Sequence, residues 1–135
     1  MAKKTTKKAV DYTVLTSVED CYKSLNIELT QIPDVSNIPE KYRAPLLAIY
    51  NKMIVFDAIN GDDKPDHANH STLKYEPWVR VNSSGVSFGT SYYVFTFAAT
   101  VAGFRLCTHS SEKTLHAMSI LEKEMKTWYL RPKGE

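Results

Sequence analysis

Residues 74–130 constrain this chain most. They open as KYEPWVRV, pass through SSGVSFG, continue as SYYVFTF and GFRLCT, and end in apolar residues spaced three and four apart. Successive side chains of a strand point to opposite faces, so residues two apart share one. In the first strand Tyr75, Val79 and Val81 share a face, and Lys74, Trp78 and Arg80 share the other. In the second, Tyr93, Phe95 and Phe97 make an apolar face and Tyr92, Val94 and Thr96 a mixed one. In the third, Phe104 and Leu106 oppose Arg105 and Cys107. The alternation predicts three antiparallel strands, with SSGVSFG as the first turn and one face turned to a core. The other face would show Lys74, Trp78, Arg80, Tyr92, Thr96 and Arg105. A slip of one residue in the pairing would exchange a strand's faces.

A helix follows the sheet. Ser110 or Ser111 can cap it by accepting from a free backbone N–H. Leu115, Met118, Leu121, Met125 and Trp128 recur with the period of one buried helical face, and Glu122 and Lys126 can pair on its solvent side. Pro132 marks its end.

Upstream, Tyr12, Val14 and Leu15 suggest a short extended lead-in. Ser17 is a suitable N-cap, with Glu19 and Asp20 in the first turn, where they favour the helix dipole. That helix runs to about Leu25 and shows Val18, Cys21, Tyr22 and Leu25 on one side. Pro33, Pro39 and Pro45 interrupt the next segment, leaving a loop with one helical turn at PEKYR. Pro45 suits the first turn of a helix PLLAIYNKMIVFDAIN, which stops at Gly61. This helix is apolar nearly all round, so it is expected to be covered on several sides, with Met53 in the core. The expected fold is a single compact α+β domain: helix, helix, three-stranded antiparallel sheet, helix. It spans residues 11–131, between a disordered basic tail at 1–10 and a short C-terminal tail at 132–135.

A chain of 135 residues suits one domain and can bury a core without disulfides. The net charge of +2 owes much to Lys3, Lys4, Lys7 and Lys8 in the tail, and does not by itself imply nucleic acid. Cys21 and Cys107 lie outside any CxxC motif, as reduced cytosolic thiols would. No apolar run reaches membrane-spanning length, and no apolar segment follows the N-terminal lysines as in a secretory signal. The cytoplasm is the expected compartment.

The series TSVEDCYKSLNI, PEKYRAPLLAIYNKMIVFDAIN, KPD, KYEPW and GFRLC, then a helix opening S-S-E and closing in an aromatic cluster, resembles a family of small proteins. These are encoded by tailed phages and prophages of gut Bacteroidetes, crAss-like phages included. The likeness covers residues 12–130. It implies a phage or mobile-element origin and synthesis in the host cytoplasm, and it supplies no activity or functional residues. Members of the family often flank KPD with aromatic residues, where this chain has Asp63 and His67.

Asp62, Asp63, Asp66, His67 and His70 include good ligands for a metal, but H-x-x-H alone is a weak signal and a solvated polar loop is the commoner use. His109 and His116 read as surface histidines. Cys107 and His109 could form a nucleophile pair, yet no orienting acid or oxyanion donor accompanies them. No GxGxxG or GxxxxGK phosphate cradle is present. The sequence therefore predicts no catalytic site, no metal and no cofactor.

The outward sheet face is the best binding candidate. Trp78 and Tyr92 could stack on unpaired bases, while Lys74, Arg80 and Arg105 met phosphates. Packing is the commoner fate of such aromatics. The expectation is a phage accessory protein binding single-stranded nucleic acid with little sequence preference, in replication or recombination. The alternative is a protein-interaction module, a virion component or a blocker of a host protein, using the same face. A homo-oligomer is compatible with either. A nucleic-acid surface should be uniformly positive, whereas a protein interface tolerates Glu76 and Asp66 beside its aromatics.

Overall fold

The structure is a computed structural model, and it describes residues 11–66, 73–93 and 106–130. After the extended Ser17, helix α1 covers Val18–Ser24. The Ser17 hydroxyl accepts from the Asp20 N–H at 3.1 Å, satisfying one of the donors a helix start leaves free. The lead-in is not extended as expected: Tyr12–Val14 is a single 3-10 turn, because the Asp11 carboxylate caps the Thr13 N–H at 3.0 Å.

Helix α2 runs Glu40–Asn60, so the turn expected at PEKYR and the helix expected from Pro45 are one element. Pro45 lies inside it and cannot donate to the carbonyl four residues back. The extra first turn is tied to the loop before it by Arg43. Its guanidinium donates to the Ile38 carbonyl at 2.7 Å and the Ser36 carbonyl at 2.8 Å. Gly61 ends α2 at φ +54°, a left-handed position glycine adopts without steric cost, and donates to the Asp57 carbonyl at 3.0 Å. Burial concentrates in the second half of α2, where Ile54, Val55, Phe56, Ala58, Ile59 and Asn60 are all buried. Met53 is only partly buried, and the fully covered neighbour is Lys52.

Strands β1, Lys74–Asn82, and β2, Gly85–Tyr93, form an antiparallel hairpin. The turn is shorter than SSGVSFG: it is Ser83 and Ser84, with the Ser84 N–H held by the Asn82 side chain at 2.9 Å and Gly85 at φ +126° opening β2. Tyr75 exchanges both backbone hydrogen bonds with Thr108, at 2.8 and 2.9 Å, as an isolated antiparallel bridge. Odd positions of β1 therefore point their backbone groups away from β2, and even positions pair with it. Pro77 shares the parity of Tyr75, so its missing N–H costs the hairpin no ladder bond.

The third strand expected over GFRLC is not matched. Phe104 and Arg105 lie outside the described residues, Leu106 and Cys107 are not in a strand, and the described sheet has two strands. The final helix divides into α3, Ser111–Ile120, and α4, Glu122–Tyr129, about a bend at Leu121. Ser110 caps α3 as expected, accepting from the Lys113 N–H at 3.1 Å. The buried face of this pair is Thr114, Ala117, Met118, Leu121 and Met125, whereas Leu115 and Trp128 are exposed.

The class is α+β, compact as expected. Leu15, Cys21, Val55, Phe56, Ile59, Met118, Leu121 and Met125 form one core cluster among α1, α2, α3 and α4, and Val79 and Phe88 bring the sheet against it. Burying each large apolar side chain contributes about 1.5–3 kcal/mol before conformational entropy is counted.

Candidate binding surface on the hairpin

Residues paired across an antiparallel hairpin share a face. The register pairs Val79 with Phe88 on the core side, and Trp78 with Gly89 and Arg80 with Ser87 on the outer side. The five binding candidates expected on the outer face separate accordingly, and Thr96, the sixth residue expected there, lies outside the described residues. Trp78, 49% exposed, and Arg80, exposed, stand two positions apart on it. Lys74 is on the same side but wholly buried, at 0% exposure, and Glu76 beside it is buried too. Alternation sets the face of a residue and not what lies over it, and this end of β1 is where the chain returns to bridge at Thr108. Tyr92 pairs with Tyr75, which puts its position on the opposite side of the sheet from Trp78. Arg105 lies outside the described residues.

The exposed remnant is compact. Same-face neighbours on a strand lie about 6.5–7 Å apart, so Trp78 and Arg80 rise from adjacent positions of one face. Across from Trp78, a Cβ built on Gly89 would meet nothing within 4 Å. The indole therefore does not fold over the glycine, as an aromatic facing a strand glycine often does. At the described positions of this face Arg80 carries the exposed formal charge, since Lys74 and Glu76 are buried.

Among the described residues no group of three His, Cys, Asp or Glu side chains stands close enough to hold a metal ion, and His67 and His70 lie outside them. Asp63 instead binds the start of α3, accepting from His109 Nδ1 at 2.8 Å and from Lys113 Nζ at 3.1 Å. Partial burial pushes the Asp63 carboxyl up, but the hydrogen bonds and charges of His109 and Lys113 outweigh it and leave its pKa below 3.8. His116 is not a surface residue of the polar side. Its Nε2–H donates to the Leu15 carbonyl at 2.7 Å and its ring meets Tyr12 edge-on.

Neither cysteine is poised as a nucleophile. Both are buried, and burial, aided by Asp20 and Glu19, pushes Cys21 up to about 11. Periodicity also missed Lys52, which lies under the rings of Trp128, 4.7 Å from its centroid, and Tyr129, at 5.9 Å. Burial lowers its pKa. The legible signal was a lysine inside an apolar helix with an aromatic pair near the chain's end. No described helix is long and apolar enough to cross a membrane. No family model, curated protein or solved structure matches this chain.

Proposed function

We propose that the outer hairpin face binds single-stranded nucleic acid, through one stacked base on Trp78 and one phosphate on Arg80. The observation that carries this reading is a half-exposed Trp78 two positions from an exposed Arg80 on one face, opposite the open space at Gly89. An unpaired strand offers planar faces and anions in alternation, and a base stacked on an aromatic side chain is worth about 1–3 kcal/mol. With Lys74 buried and Tyr92 on the other side of the register, the site is smaller than a platform of five residues. It engages few nucleotides, and its salt dependence is shallow. The sequence resemblance suggests the setting: a phage or prophage accessory protein, acting in the host cytoplasm where replication or recombination exposes single strands.

Val81 supports a second reading. It is 47% exposed on the opposite face of the same hairpin end, so apolar surface is open on both faces. Trp and Arg are also the residues that most often dominate protein interfaces. A virion or host protein gripping the hairpin end would use Val81, whereas a strand stacked on Trp78 would not.

Titrating a short oligothymidylate at low and moderate salt tests the first reading. Salt-sensitive binding is expected, lost in Trp78→Ala with the fold retained and untouched by Val81→Thr. A folded wild type that binds no single strand at micromolar concentration defeats it.

A further inference from the structure

The Trp78–Gly89 rung has a shape that neither residue explains alone. The two share the outer face, and even positions of β1 make the hydrogen-bonded pairs, the wider of the two kinds of rung, with Cα atoms about 5.5 Å apart. Gly89 contributes no side chain there, and the space its Cβ would take is empty. The indole leaves that space open and stays half exposed. The result is open space over the β2 backbone at the position paired with Trp78, a notch in the outer face. Ser87, the next outer residue of β2, pairs with Arg80, so the neighbouring outer rung carries the exposed arginine.

We infer that Gly89 is a specificity-determining residue: the missing Cβ makes room for an unpaired base to lie against the indole, over the β2 backbone, with its phosphate on Arg80. This rests on the single-strand reading above. The occupant follows from the complement of the site. A planar, apolar-faced group fits beside the ring, and an anion fits the exposed charge at its end, with Glu76 buried and not competing. A Cβ at position 89 would stand in the place of the base with no heavy atom of its surroundings within 4 Å.

The variant Gly89→Val tests this. It enters open space at a strand position without a left-handed φ, and a β-branched residue suits a strand, so the fold should persist with an unchanged or higher Tm. The probes are a short oligothymidylate and an abasic oligonucleotide of the same length. Wild type should prefer the thymidylate. Gly89→Val should weaken thymidylate binding about 5- to 150-fold, down to the abasic level, and leave abasic binding unchanged. Gly89→Ala should fall between and serves as the probe should valine disturb the hairpin. A folded Gly89→Val that binds thymidylate as wild type does overturns the notch and leaves the single-strand reading standing. Equal wild-type binding of both probes overturns it as well, and points to charge alone. Binding of neither probe by the wild type defeats the single-strand reading itself and the notch with it.

Discussion

The helical core and the distal half of the hairpin answer to different rules. In the core, Phe56, Met118 and Leu121 are fully buried, and each is held by neighbours from several elements. From Trp78 onward β1 carries Trp78, Arg80, Val81 and Asn82 in the open, held by its ladder to β2. The core determines whether the chain folds. The hairpin end is free to be chosen for what it touches, because little stability depends on its side chains. An exposed tryptophan is informative there, whereas a buried one would report only on packing.

That contrast can be broken in graded steps. Phe56→Ala should cost about 3–5 kcal/mol, through lost burial and the cavity left behind, read as a lower midpoint in denaturant unfolding. A loss below 1 kcal/mol would mean the α2 face is not the centre of the fold.

Thr114→Val tests the seam between sheet and helix. The Thr114 hydroxyl donates to the Tyr75 carbonyl at 3.0 Å and stands 2.9 Å from that of Thr108. Removing it takes these hydrogen bonds out of a buried seam, while the Tyr75 carbonyl keeps its bond from the Thr108 N–H, and should cost about 0.5–1.5 kcal/mol, although the shape of the side chain is kept.

Asp63 gives a smaller effect that depends on pH. Its folded pKa lies below the unfolded 3.8, so its contribution is fully present above that value and is lost as pH falls through the folded pKa. Asp63→Asn should therefore be less stable than wild type at neutral pH and converge with it in acid, in thermal melts across pH. An equal gap at pH 7 and pH 2 would show that the links to His109 and Lys113 do not stabilise the fold. Smallest of all, Val81→Thr should change stability by no more than about 0.5 kcal/mol by the same unfolding measurement.

Much of this was legible in the sequence. Serine caps are local, so Ser17 and Ser110 were readable, and so was the core side of β1, where alternation acts within a single strand. What failed depended on pairing between distant residues. Reading SSGVSFG as a turn hid that β2 begins at Gly85, and with it the pairing of Tyr92 with Tyr75. That pairing moved Tyr92 from the binding face to the other side of the sheet. Lys74 was on the predicted face, but no local pattern reports what covers a residue. Gly89 was missed because the same reading placed it in the turn, where a glycine has no cross-strand partner to give it meaning. Pro45 misled by being tolerated inside a helix that starts earlier.

Pro77 has a consequence beyond the fold of one molecule. The outer edge of β1 offers a hydrogen-bonded start at Tyr75, where Thr108 occupies it, and its next odd position has no N–H to give. Any strand zipping along that edge, from this chain or from a neighbour in a crowded cell, loses its second rung. The proline thus limits how far backbone pairing can extend from the Thr108 bridge along this edge.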